Sequence, residues 1–280
     1  VIVGGLTVDR FEDGRAEAGG SVTHAARAAA SRGMRVAVLT AAGPEPPARR
    51  GVAELRRLCP VVIVEDAPAT ATFEHREDAT GRRLRLARAA PPVRLDANLT
   101  ASLPSRAVLF APIAGEVDHS TLRAGSAYAW RGAILQGWLR STVEGAEVTP
   151  VPPHAVPAPL REALGTFDLL LASREDLNAG DAAGSAQQDL ATLRAAFGRS
   201  PALVLTDGSR GAWISAAGSA APMAHVAVPR VLEGVATVGA GDVLGAVLLV
   251  ALSRGEPLET AVRNAMAAVV DFLEERRHPY

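Results

Sequence analysis

Eight residues near the C-terminus, Val238-Gly239-Ala240-Gly241-Asp242-Val243-Leu244-Gly245, join a small-residue turn to an apolar helix with a carboxylate in its first turn. A helix begins with backbone N–H groups that lack an intrahelical partner, and their dipoles sum to partial positive charge. With no bulky side chain at Gly239, Ala240 or Gly241, an anionic oxygen can reach those groups. Asp242 then lies beside the anion, placed to take a proton from an attacking hydroxyl. Charge stabilisation next to a base is what phosphoryl transfer to an alcohol requires. The plainer reading is a helix start with glycine for packing and Asp as a favourable first-turn charge.

The elements that would position this turn read as an alternation. Val1–Val3 forms a buried strand ending in Gly4-Gly5, and Ser21–Arg32 an Ala-rich helix entered by Gly19-Gly20 and stopped by Gly33. A strand over Arg35–Thr40, a helix over Ala48–Leu58 and a strand over Val61–Glu65 follow. Strands alternating with helices predict a mostly parallel sheet covered on both faces. Thr72–Arg76 and Arg83–Arg88, joined by Asp78-Ala79-Thr80-Gly81, break the rhythm as a polar hairpin poorly suited to a core. With Thr7–Arg15 they make a small flap. Strands over Ala107–Phe110, Ala133–Gln136, Asp168–Leu171 and Ala202–Thr206 resume the pattern. Gly211–Ser215 and Met223–Val228 read as an antiparallel addition, and the prolines at 150, 152, 153, 157 and 159 as an irregular connection. Helices over Gly241–Leu252 and Leu258–Leu273 close the chain, the first apolar almost all round and hence buried. No repeat or domain linker interrupts this, so residues 1–280 read as a single α/β domain with a lid from about 7–17 and 70–88.

Composition narrows the chemistry. Hydrophobic residues make up 48% but aromatic residues only 4%, so the core is Ala, Val and Leu, as suits a sheet flanked by closely packed helices. A net charge of −1 favours neither nucleic acid nor an anionic membrane as partner. The one cysteine, Cys59, excludes an internal disulfide framework, reads as a buried structural thiol and fits a reducing cytosol. No apolar run reaches membrane-spanning length, and no signal peptide is visible; the chain opens at Val1 in mid-strand, which suggests a short missing N-terminal piece. All 29 basic residues are arginine. Without lysine there is neither a P-loop nor a protein-kinase-like strand Lys, and no Schiff-base or pyridoxal-phosphate chemistry.

Four motifs together resemble the ribokinase-like (PfkB) carbohydrate kinase family over essentially the whole chain. Gly4–Asp9 is similar to the N-terminal glycine turn and its sugar-binding aspartate. Gly19-Gly20-Ser21-Val22-Thr23-His24-Ala25-Ala26 resembles the first signature, a Gly-Gly pair opening a helix over the substrate. Leu205-Thr206-Asp207-Gly208-Ser209-Arg210-Gly211-Ala212 resembles the strand and turn that support the nucleotide, and Gly239-Ala240-Gly241-Asp242 the anion hole with its catalytic base. The resemblance implies a ribokinase-like three-layer sandwich with a small β lid. It also implies ATP and Mg²⁺, a sugar or cyclic polyol as substrate and a cytoplasmic enzyme, and it leaves a homodimer open. It assigns Asp9, Gly19, Gly20, His24, Glu116 and Gln136 to substrate, Ser173, Thr206, Gly208, Gly211 and Asn264 to nucleotide, and Glu175 and Asp176 to the metal. Gln136-Gly137-Trp138-Leu139-Arg140 with Gly115-Glu116 is similar to the myo-inositol kinase branch.

Departures from the pattern carry expectations of their own. His24 stands where the family has Asn, Ala236-Thr237-Val238 where it has Asp-Thr-Thr, and Ser173-Arg174-Glu175-Asp176 where it has Asn-x-x-Glu. Ala236 and Val238 remove two oxygen-bearing side chains, which predicts weak or absent activation by K⁺. Plain readings stand beside the functional ones: Asp9 as a turn cap, His24 as a hydrogen-bonded wall, Arg140 as a solvated helix residue, Asn264 as surface. Trp130, Trp138 and Trp213 read as packing. Two other functions stay open. Gly239-x-Gly241-x-x-x-Gly245 resembles a variant dinucleotide fingerprint, although no acidic residue closes a strand about 20 residues on. The altered motifs also suit a non-catalytic sugar- or nucleotide-binding protein.

Overall fold

Leu169, Leu170 and Leu171 point alternately into two different cores, as period-two side chains of a strand buried on both faces must. The computed structural model describes residues 1–78, 81–177, 184–218 and 223–277. In chain order the elements are β1 (Ile2–Gly4), β2 (Thr7–Phe11), β3 (Ala16–Gly19), α1 (Ser21–Ala30), β4 (Ala37–Ala42), α2 (Pro46–Leu58) and β5 (Val61–Asp66). Then come β6 (Ala71–Asp78), β7 (Gly81–Arg88), α3 (Ala97–Ser102), β8 (Ala107–Ala111), α4 (His119–Ala124), β9 (Trp130–Ile134), β10 (Arg140–Ser141) and β11 (Thr149–Pro150). The chain closes with α5 (Ala158–Leu164), β12 (Leu169–Ser173), α6 (Arg174–Leu177), α7 (Ala186–Phe197), β13 (Ala202–Thr206), β14 (Ala212–Ser215), β15 (Ala224–Val226), α8 (Ala240–Ser253) and α9 (Leu258–Arg277).

Nine strands form the main sheet in the order β15-β14-β13-β12-β9-β8-β1-β4-β5. All neighbours from β13 to β5 are parallel, and β14 and β15 add on antiparallel, as the sequence predicts. One core gathers Val38, Leu109, Ile134 and Leu171 under α1, α2, α8 and α9; the other gathers Val3, Leu39, Phe110 and Leu170 with Leu122, Leu164 and Leu193 from α4, α5 and α7. This is the three-layer α/β architecture expected. Cys59 is buried in the first of these cores.

The flap is a second, four-stranded sheet, β3-β2-β6-β7. It differs from the polar hairpin read in the sequence. Phe73 and Leu86 are buried and form a cluster of their own with Ile113, joined by Leu84. Along β7, Leu84 and Leu86 alternate with Arg83 and Arg85, which hides a half-apolar face that only sheet pairing reveals. Ala79 and Thr80, in the expected turn, lie outside the described residues. β9 also ends earlier than expected. Leu135–Gly137 winds into a 3₁₀ turn, which places Gln136 just past the strand rather than within it. No helix of the described residues is long and apolar enough to cross a membrane.

Candidate active site

α8 runs back along the sheet with its N-terminus at the carboxyl end of β9. A Cβ at Gly245 would meet Ile134 at 3.0 Å, and one turn later Leu249 lies 3.1 Å from where a Cβ of Gly132 would stand. The glycines let the helix approach the strand this closely. Carboxyl ends of parallel strands are where open α/β sheets bind ligands.

Gly239 caps α8 in the left-handed region, φ 86°. A side chain there would also strike the His24 imidazole at 2.5 Å, so only glycine fits on both counts. One detail differs from the expected anion hole. The Ala240 N–H donates to Thr237 O at 3.0 Å, closing the turn. The first-turn N–H groups still without an intrahelical acceptor are therefore those of Gly241 and Asp242. Above Gly241 the space is open, since a Cβ there would meet nothing within 4 Å. The cradle fits an anionic oxygen.

Asp242 is buried, 9% exposed. Burial pushes its carboxyl up to about 7; the Ser21 hydroxyl and the charge of Arg140 pull the other way, and Asp176 adds to the rise. A carboxyl that titrates near neutrality is matched to general-base work.

α1 carries the opposite wall. Ser21 and His24, one turn apart, share a face; Ser21 faces Asp242 and His24 packs on Gly239. His24 is buried, its Nδ1 has no hydrogen-bond partner, and burial together with the charge of Arg276 lowers it to about 4, so the ring is neutral. A buried nitrogen beside the cradle is thus left without a partner from the described residues. Before α1, side chains at Gly19 and Gly20 would overlap the Asp9 carboxylate and the Gly5 carbonyl respectively. Asp9 thus reaches over the Gly-Gly turn from the lid. There its Oδ1 meets His75 Nε2 at 3.2 Å and the Thr7 hydroxyl at 3.4 Å, and His75 stacks on Phe11.

The third wall is ionic. Arg140 donates through Nε and Nη2 to Asp176 Oδ1 at 3.0 and 2.8 Å, and Asp176 Oδ2 accepts from the Ser173 N–H. With its carboxamide oxygen turned toward Arg140, Gln136 accepts from the same guanidinium at 2.7 and 3.0 Å. Asp176 is 3% exposed and its oxygens are spent on these partners. Asp176, one of the two carboxylates expected at the metal, braces Arg140; Glu175, the other, is exposed. No group of three His, Cys, Asp or Glu among the described residues could hold an ion. An ion carried by donor phosphates and water would need only one or two carboxylates from the protein.

Ser173 and Thr206 end adjacent strands in register, with Gly208 and Gly211 in the turn just beyond. Asp207 is held below the ordinary carboxylate range by Arg210 and Arg174. Asn264 is exposed on α9, its amide donating to Glu256 at 3.0 Å. Glu116, an expected substrate contact, lies between two loops. It is 5% exposed and accepts from the N–H groups of Ile113 and Ala114, and from Gly5. It ties together the loops after β1 and β8. Glu116→Ala should leave those donors unpaired and lower the unfolding free energy by about 2–4 kcal/mol, read from a denaturant midpoint.

Arg140, Arg174, His75 and Arg276 join the site without having been singled out as site residues in the sequence. The signal available for the first two was the absence of lysine, which leaves arginine as the only strong cation beside the cradle.

Residues 143–270 match the profile of the pfkB family carbohydrate kinases. No curated protein matches the chain in sequence. Among solved structures, the chain is similar to a pyrophosphate-dependent kinase in the ribokinase family complexed with a pyrophosphate analog and myo-inositol. That likeness has 18% identity and a TM-score of 0.76 over 100% of this chain and 95% of the other. A pyrophosphate-dependent myo-inositol-1 kinase converted into a myo-inositol-3 kinase is 21% identical, TM-score 0.74, over 100% and 93%. Arabidopsis thaliana ribokinase complexed with ribose and ATP is 16% identical, TM-score 0.72, over 98% and 92%. The fold is that of the ribokinases.

Proposed function

We propose that the chain, whose residues 143–270 match the profile of the pfkB family carbohydrate kinases, is a kinase that phosphorylates a hydroxyl of a cyclic polyol or small sugar with Asp242 as the base. The observation that carries this reading is the buried Asp242 carboxyl, raised to about 7, at the open start of α8. ATP is the donor the family resemblance implies, and it would supply the transferred phosphoryl group together with its own bound Mg²⁺. The Gly241 and Asp242 N–H groups and the Arg140 guanidinium hold the oxygens on which charge gathers. Asp242 accepts the proton of the attacking hydroxyl. The lid covers the acceptor with Phe73 and Leu84 and excludes water, a competing acceptor.

Asp9 fixes the acceptor. Its carboxylate, steadied by His75 and Thr7, would accept hydrogen bonds from substrate hydroxyls. Asp9→Ala should raise KM for the acceptor about 10–100-fold, the worth of one or two hydrogen bonds to a charge, while donor KM changes little. Steady-state kinetics with each substrate varied in turn separates the two.

Pyrophosphate is the second reading of the donor. Asn264, the expected adenine neighbour, is engaged by Glu256, whereas arginines line the phosphate side. Two of the similar structures are pyrophosphate-dependent kinases. The test is a screen of sugars, polyols including myo-inositol, and nucleosides against ATP and pyrophosphate, read by release of ADP or orthophosphate. Transfer with neither donor, in protein that binds a polyol, would leave the binding-protein reading standing instead.

A further inference from the structure

The peptide just before the anion cradle is held by a cation from the far end of the chain. Arg276, near the end of α9, donates through Nη1 to Val238 O at 2.6 Å. Its guanidinium also stacks over Phe272, 5.3 Å from the ring centroid. Phe272 meets His24 edge-on at 5.9 Å, and His24 packs on Gly239. Arg276, Phe272, His24 and Gly239 thus form one continuous stack that closes on the start of α8.

The consequence follows from peptide planarity. The Val238 carbonyl and the Gly239 N–H belong to one trans peptide and point in opposite directions. A donor that captures the oxygen therefore fixes where the N–H is aimed. The hold matters here because Gly239 has no Cβ and sits at φ 86°, so flipping this peptide costs little by itself. Ala236 and Val238 bring no side-chain oxygen to the segment, and both Ala236 and Thr237 are exposed. A carbonyl in this position without a donor, next to bound anionic charge, is where a dissolved cation would settle.

We infer that Arg276 is a positioning residue of the anion cradle, a tethered cation that locks the Val238–Gly239 peptide with its N–H toward the donor phosphate and makes donor binding independent of dissolved monovalent cations. The inference rests on the proposed role of the α8 start as the phosphate site. It accounts for the loss of oxygen-bearing side chains at 236 and 238: the tether does the work a bound ion would otherwise do.

The test uses Arg276→Gln and Arg276→Lys, with donor KM, acceptor KM, and pyrophosphate and ATP affinity by calorimetry. Each is measured in Na⁺, K⁺, guanidinium or tetramethylammonium chloride at one ionic strength. Wild type should be indifferent to the cation. Arg276→Gln should weaken the donor at least tenfold with acceptor KM unchanged, and K⁺ or guanidinium should restore it several-fold where tetramethylammonium does not. Arg276→Lys should fall between. A wild-type enzyme activated by K⁺, or Arg276→Gln with wild-type donor affinity, overturns the inference. So does a loss that no small cation restores, which would mark a merely structural contact. Failure of wild type to bind either anion overturns the phosphate-site reading itself, whereas intact wild-type binding with an indifferent variant overturns the Arg276 role alone.

Discussion

Asp242→Asn should keep the fold and donor affinity while kcat falls by about 10²–10⁴, the usual worth of a positioned base. The carboxamide matches the carboxyl in shape but cannot take a proton. Two pH measurements make the claim specific. In wild type kcat should rise through about pH 7, because Asp242 must be deprotonated to act and burial raises its carboxyl to about that value. The stability effect has the opposite sign. A carboxyl whose proton affinity is higher folded than unfolded adds nothing unfavourable at pH values below the ordinary carboxylate range. Its cost grows as pH climbs from about 4 to about 7 and is complete above that, at something on the order of 4 kcal/mol. Asp242→Asn should therefore melt higher than wild type at pH 8 and show little gain at pH 4. A variant that keeps near-wild-type turnover, or that gains no stability at high pH, would show that Asp242 is neither the base nor a buried charge.

Arg140→Ala should cost about 10²–10³ in kcat, the scale seen when one stabilising group is removed from developing transition-state charge. The guanidinium's charge acts on the base, and it is held in place by Asp176 and Gln136. Its removal also leaves the buried Asp176 carboxylate without its counter-ion beside Asp242. Both changes favour a protonated Asp242, so the rise of kcat with pH should move above its wild-type position. Arg140→Lys keeps the charge but not the planar fork that serves two acceptors at once. It should hold the pH profile and recover only part of the rate. An Arg140→Ala enzyme with an unshifted profile and more than a tenth of wild-type kcat would place the guanidinium outside the reaction.

Local grammar made much of this molecule legible. Strand and helix alternation follows from hydrophobic periodicity, and the apolar content of α8 announces burial on nearly every side. The start of α8 was readable for the same reason: the glycines at 239 and 241 and the carboxylate at 242 act through backbone geometry only a few residues long. Roles that depend on partners distant in sequence were not readable. Asp176 and Glu175 are adjacent, and nothing local says that one is buried against Arg140, 36 residues away, while the other faces solvent. Glu116 looks like any carboxylate after a glycine until the loops at residues 5 and 113–114 fold around it. The lid reads as a polar hairpin poorly suited to a core because the burial of Phe73 and Leu86 depends on Ile113.

The sequence by itself determined which chemistry was available: a base beside exposed N–H groups, arginine as the only strong cation, and no lysine for other phosphotransferase designs. The tertiary structure decided how those groups are disposed. Desolvation and pairing are set by what surrounds a group in space, so only the folded chain could raise the Asp242 carboxyl, commit Asp176 to Arg140, and bring Arg276 across 38 residues to the carbonyl before the cradle.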